Sequence, residues 1–150
     1  MSAQKALYDE DFYLWTQRAA ELLRAGRPDQ VDLENVAEEI ESLGKSDKRE
    51  LRSRLKVLIM HLLKCQQSSE VPSRSWLLTI RSQRSEIRTL LEESPSLKPM
   101  VPELVAQAYR EAADLASYEM DQPAEPFPAR CPFSEADILD DSFVPGRGAG

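Results

Sequence analysis

ENVAEEIESLGKSDKRELRSRLKVLIMHLLK, residues 34–64, decides the fold. Apolar side chains recur every three or four positions through it, the period of one helix face. Leu33, Val36, Ala37, Ile40 and Leu43 make one stripe, and Leu51, Leu55, Leu58, Ile59 and Leu62 make another. Between them stand Gly44, a helix stop signal, and Asp47 with Glu50 three residues on, a capping-box pattern. The stretch therefore predicts two helices, from about Asp32 to Leu43 and from about Asp47 to Gln67.

The same period extends outward in both directions. A helix is predicted from about Asp9 to Ala25, opened by Asp9, Glu10 and Asp11 and ended by Gly26 and Pro28. Phe12, Trp15, Ala19, Leu22 and Leu23 line its apolar face. Another is predicted from about Ser75 to Glu93, with Trp76, Ile80, Ile87, Leu90 and Leu91 as its stripe. A fifth begins between Leu97 and Pro102, blurred by Pro95, Pro99 and Pro102, and ends near Tyr118.

From Asp121 onward the chain is proline-rich. Phe127, Phe133, Ile138, Leu139 and Phe143 are too apolar for a disordered tail and are the expected anchors of a docked arm. Ser134 with Asp137 predicts one capped turn through Leu139. The terminal GRGAG is expected to be loose. The fold class that follows is all-α: a compact bundle of about five helices over residues 1–120. Residues 121–150 form a Pro-rich C-terminal arm of the same single domain.

Composition agrees. The chain has 150 residues, the length of one domain. Its 5 glycines are too few for an all-β chain of tight turns, and no phosphate loop or dinucleotide fingerprint is present. The net charge of −7 divides into −6 over residues 1–44, +7 over 45–88 and −8 over 89–150. A basic middle serves either as an internal complement to its acidic flanks or as a nucleic-acid surface. Overall acidity opposes polyanion binding, so the first reading is preferred. Cys65 and Cys131 belong to no metal-ligand cluster and suggest no secreted disulfide scaffold. The N-terminus lacks a signal-peptide layout, and the longest apolar run, Val57 to Leu63, is far too short to span a bilayer. A soluble protein of the reducing cytoplasm is expected, with no membrane association.

Polar residues beside the core faces are the candidates for chemistry. His61, the single histidine, shares a flank with Arg54 and Cys65 and is read first as a structural, hydrogen-bonded core-boundary residue. Its spacing from Cys65 would suit two ligands of one metal, but nothing nearby completes a site. No metal or cofactor is expected. Arg54 and His61 also fit the loose Arg-x(4–6)-His pattern of helical-bundle ribonucleases. In such a site the histidine would serve as acid/base and the arginine would hold phosphate charge. Glu38, Glu39 and Glu41 are read as a solvated acidic face that pairs with arginines. Gln83 falls within an apolar stripe, where an amide without partners costs about 1–3 kcal/mol. It is therefore expected in a buried polar network with Arg84 and one of the glutamates of the helix predicted from about Asp32 to Leu43. Trp76, at the start of its helix, is read as core rather than as a stacking platform.

Four blocks carry a family resemblance: YDEDFYLWTQRAAELLRAGR at 8–27, ENVAEEIESLGKSDKRELRSRLKVLIMHLLK at 34–64, SRSWLLTIRSQRSEIRTLLEESPSLK at 73–98 and CPFSEADILD at 131–140. Together they resemble the bacterial Domain of Unknown Function 29 family over about residues 7–144. The resemblance implies an all-helical, often stand-alone protein, and it carries over no activity, cofactor or catalytic residue. The family pattern favours tryptophan after HLLK, where this chain has Cys65, which supports a packing role for that thiol.

The leading expectation is a non-enzymatic protein interaction or adaptor module, whose partner is another protein or a second copy in a homodimer. The alternatives are a metal-independent ribonuclease or nucleotide-binding enzyme using Arg54 and His61, and small-ligand binding in a polar pocket. That pocket would lie between the second, third and fourth predicted helices and use Glu39, Glu41, His61, Gln83 and Arg84.

Overall fold

A computed structural model describes residues 3–121 and 127–146. The chain is all-α. Six helices are present among the described residues: α1 (Ala3–Glu10), α2 (Phe12–Arg24), α3 (Leu33–Gln67), α4 (Arg74–Glu93), α5 (Val101–Glu119) and α6 (Glu135–Leu139). Short 3-10 turns at Pro28–Gln30 and Pro95–Met100 precede α3 and α5. The chain forms two compact units, Met1–Ser46 and Asp47–Gly150, and the boundary falls inside α3.

In the first unit, Asp11 separates two helices where one was expected. Its carboxylate accepts the Leu14 N–H at 3.0 Å and caps α2, as the acidic cluster predicted. The residues before it are helical as well. Eight residues are too few for an isolated helix, so α1 depends on its packing against α2. Tyr8 of α1 meets Phe12 and Trp15 of α2, with ring centroids 4.8–5.7 Å apart. Gly26 ends α2 with φ of 72°. Its N–H reaches Leu23 O and the Arg27 N–H reaches Leu22 O, the paired bonds of a Schellman cap.

The expected break at Gly44 is absent, so the two helices predicted over residues 32–67 are one helix of 35 residues. Gly44 does not adopt positive φ. A mid-helix glycine costs about 1 kcal/mol relative to alanine. Strong helix formers on both sides outweigh that, and no proline intervenes. Leu33, Ile40, Leu51, Leu55, Leu58 and Leu62 keep one helical phase across Gly44, so both halves present the same face.

In the second unit that face is the core. Leu51, Leu55, Leu58, Ile59, Leu62 and Leu63 of α3 are fully buried against α4 and α5, which contribute Ile80, Ile87, Leu104, Ala108 and Ala112 among others. Ser73 caps α4 by accepting the Trp76 N–H at 3.1 Å. The three prolines are absorbed by the 3-10 turn and the first turn of α5, where a missing N–H is tolerated.

The arm docks as expected where it is described. Ser134 caps α6 by accepting the Asp137 N–H at 3.1 Å. Phe133 and Ile138 are buried, while Phe127, Leu139 and Phe143 pack against the core from its edge. The Tyr109 hydroxyl donates to Pro128 O at 2.6 Å and ties the arm to α5. The prolines at 123 and 126 and the terminal residues 147–150, expected to be extended and loose, lie outside the described residues.

Candidate functional site

Glu39 and Glu41 belong to the first unit; His61, Gln83 and Arg84 belong to the second. Glu39 accepts a hydrogen bond from the Tyr8 hydroxyl. That bond, with the carboxylate charge behind it, pushes the Tyr8 phenol up to about 12. Glu41 is exposed.

His61 Nδ1 lies 2.8 Å from Val57 O, one turn back along α3. A carbonyl only accepts, so Nδ1 carries the proton and Nε2 the lone pair. Burial lowers the pKa of the ring below its ordinary value, and the nearby Lys64 ammonium acts in the same direction. The ring is therefore neutral near pH 7. Cys65 is buried and its thiol is pushed up by desolvation, which makes it a packing residue and a poor nucleophile.

Arg54 does not present a free guanidinium. Its Nη2 pairs with Glu50 at 3.0 Å and with Glu86 at 3.7 Å, and its Nη1 donates to Gln83 Oε1 at 3.3 Å. Two carboxylates thus neutralise the charge that would hold a phosphate. Arg54 and His61 lie two helical turns apart on one helix, about 10 Å along its axis.

Gln83 and Arg84 are neighbours in sequence with separate partners. Gln83 is half-buried and satisfied by Arg54. Arg84 is the buried member: Nε donates to Ile138 O at 2.8 Å and Nη2 to Asp137 O at 3.2 Å. Burial lowers its pKa and the charges of Asp141 and Asp140 oppose that effect. Its role is to fasten the C-terminal carbonyls of α6 onto α4. It also lines a pocket of about 270 Å³ with Ile87, Leu91, Lys98 and Leu139 among others.

One cluster had not been anticipated. The buried Lys64 ammonium pairs with Glu119 and lies 4.7 Å from the Trp76 ring centroid. A lysine inside the run His-Leu-Leu-Lys-Cys was the available signal, since a charge amid buried leucines needs a partner. Among the described residues, no three His, Cys, Asp or Glu side chains are grouped to hold a metal ion. No helix among them is long and apolar enough to cross a membrane.

The most unusual surface lies on the first half of α3. Leu33, Ile40 and Leu43 are 51%, 64% and 68% exposed, and they follow one another along a single helix face. Isolated exposed leucines are ordinary, whereas three large apolar side chains along one helix face set this surface apart.

A family model described as Domain of unknown function DUF29 matches residues 7–144. No curated protein matches the chain, and no solved structure does.

Proposed function

The chain belongs to the Domain of unknown function DUF29 family, and on that premise we propose that it is a non-enzymatic adaptor, a helical module that works by docking another protein. The observation that carries this is the exposed stripe of Leu33, Ile40 and Leu43 on α3. Covering such side chains stabilises a complex by about 25 cal/mol per Å² of apolar surface removed from water, before the entropy of association is subtracted. The state of the polar candidates supports the same reading. His61 donates to a backbone carbonyl, Arg54 is neutralised by carboxylates, and Lys64 is paired. The bacterial cytoplasm is the setting that suits the two free cysteines.

Affinity capture in the native host, with identification by mass spectrometry, tests the proposal. The wild-type chain should retain a defined protein in stoichiometric amount. Ile40→Glu should lose it while its circular dichroism is unchanged, and Leu78→Glu, an exposed leucine of α4, should keep it. Equal retention by wild type and Ile40→Glu would contradict the reading.

A further inference from the structure

We propose that the pocket between α4, the 3-10 turn at Pro95–Met100 and α6 binds a small organic anion, a carboxylate carried on a short aliphatic body. All of its walls belong to the second unit. Arg84 is the reason. It is 2% exposed, and its hydrogen bonds go only to neutral acceptors, the carbonyls of Ile138 and Asp137. Among the described residues no carboxylate forms an ion pair with it. Asp140 and Asp141 act on it from farther off. Asp141 is held by Arg88 at 2.7 Å, and Asp140 accepts from the Ser142 N–H and hydroxyl. A buried charge without a counter-charge is costly, so a bound anion would supply what the fold leaves out.

The guanidinium has an edge to spare. Nε and Nη2 are taken by α6, and Nη1 donates to nothing among the described residues. The partnerless side-chain atoms sealed from solvent there are Gln4 Oε1 and Trp15 Nε1. Nη1 is therefore not sealed, and the pocket that Arg84 lines is where it opens. A hydrogen bond from it to a carboxylate would be charge-assisted, roughly twice as strong as a neutral one. The other walls select the rest of the ligand. Arg88 and Lys98 add two cations against one carboxylate, Glu92, so the lining is net cationic in a chain of net charge −7. Ile87, Leu91 and Leu139 make the apolar side. A bare inorganic anion would leave that side wet, whereas an aliphatic body would cover it. At about 270 Å³ the pocket falls below the range of about 300–1,000 Å³ that suits drug-sized ligands, which keeps the body short.

Titration of the isotope-labelled full chain with sodium hexanoate, followed by NMR, tests this. Resonances of Ile87, Leu91, Lys98 and Leu139 should shift and saturate. Hexanamide, the same body without the charge, and inorganic phosphate, a charge without the body, should each bind more weakly. Arg84→Met would also loosen α6, so two exposed positions carry the test. Lys98→Glu should weaken hexanoate at least about threefold, and Glu92→Lys should tighten it by a similar factor. Circular dichroism of each variant should match the wild type.

Hexanoate that shifts nothing at these residues, that binds no better than hexanamide, or that binds both variants equally would overturn the proposal. Phosphate bound as tightly as hexanoate would overturn it too, since the pocket would then be an unselective anion patch. The adaptor reading rests on other residues and fails separately, by the capture experiment with Ile40→Glu.

Discussion

Along α3 the stripe of Leu51, Leu55, Leu58 and Leu62 is fully buried, while Leu33, Ile40 and Leu43, only a few turns earlier on the same helix, stand open. The two halves have the same period and similar side chains. They differ in what the chain supplies to cover them. For the second half, α4, α5 and the arm provide Ile80, Ile87, Leu104, Ala112 and Ile138, and the leucines disappear into a core. In the first unit, the aromatic cluster of Tyr8, Phe12 and Trp15 is built between α1 and α2, and the stripe is left uncovered. An amphipathic helix is a demand for a partner, and one half of α3 finds that partner in its own chain.

The largest expected effect contrasts the two halves directly. Leu58→Ala should destabilise the chain by about 2–5 kcal/mol in urea unfolding, through lost transfer energy and the cavity left behind. Ile40→Ala, measured in dilute protein, should stay within about 0.5 kcal/mol of wild type. Equal losses at the two sites would mean that the first half is covered after all.

The cover over the second half depends on the arm, so loosening the arm should be felt next. Arg84→Met removes charged donors from Ile138 O and Asp137 O and should cost about 1.5–3 kcal/mol. Hydrogen exchange should rise over residues 133–144. Unchanged exchange there would mean that the apolar anchors hold the arm alone.

Gly44 joins the halves. An added Cβ there would meet nothing within 4 Å, and the backbone is helical. Gly44→Ala should raise thermal stability by about 0.5–1 kcal/mol. A loss instead would reveal a helix stop at this point and two helices in place of one.

The smallest effect is pH-dependent and confined to the buried half. Burial holds the folded His61 pKa below its ordinary value of 6.5. Above pH 6.5 the ring is neutral in both states and its environment favours folding in full. As the pH falls below 6.5 the unfolded chain takes up the proton first, and stability is lost until the folded ring titrates too. His61→Gln should therefore show a shallower fall in stability below pH 6.5. A slope equal to wild type would place the ring in solvent.

Much of this architecture was legible in the residues, because helical period, caps and glycine stops act locally. Gly26 is a Schellman cap, Ser134 caps α6 and Phe133 and Ile138 anchor the arm, each as its neighbours implied. Gly44 was misread because a stop signal is weighed against the propensities around it, and six turns of good helix formers outvote one glycine. Helix α1 was missed because so short a helix draws its stability from packing against α2, which no local pattern records. The polar candidates divide in the same way. That Gln83 would need a partner could be read from its place in an apolar stripe. That the partner is Arg54, and that Arg84 reaches the carbonyls of an arm more than fifty positions away, depends on tertiary packing. The Lys64, Glu119 and Trp76 cluster assembles three distant segments and was legible only as a misplaced lysine.

Thiol labelling along α3 tests the central claim most directly. In dilute buffer, Leu43→Cys should react with a soluble maleimide as an exposed thiol does, whereas Leu58→Cys should react only as the chain unfolds. The wild type, with Cys65 buried and Cys131 half-buried, serves as control. Equal labelling rates at the two positions would contradict a first half of α3 that stands open beside a second half that is covered.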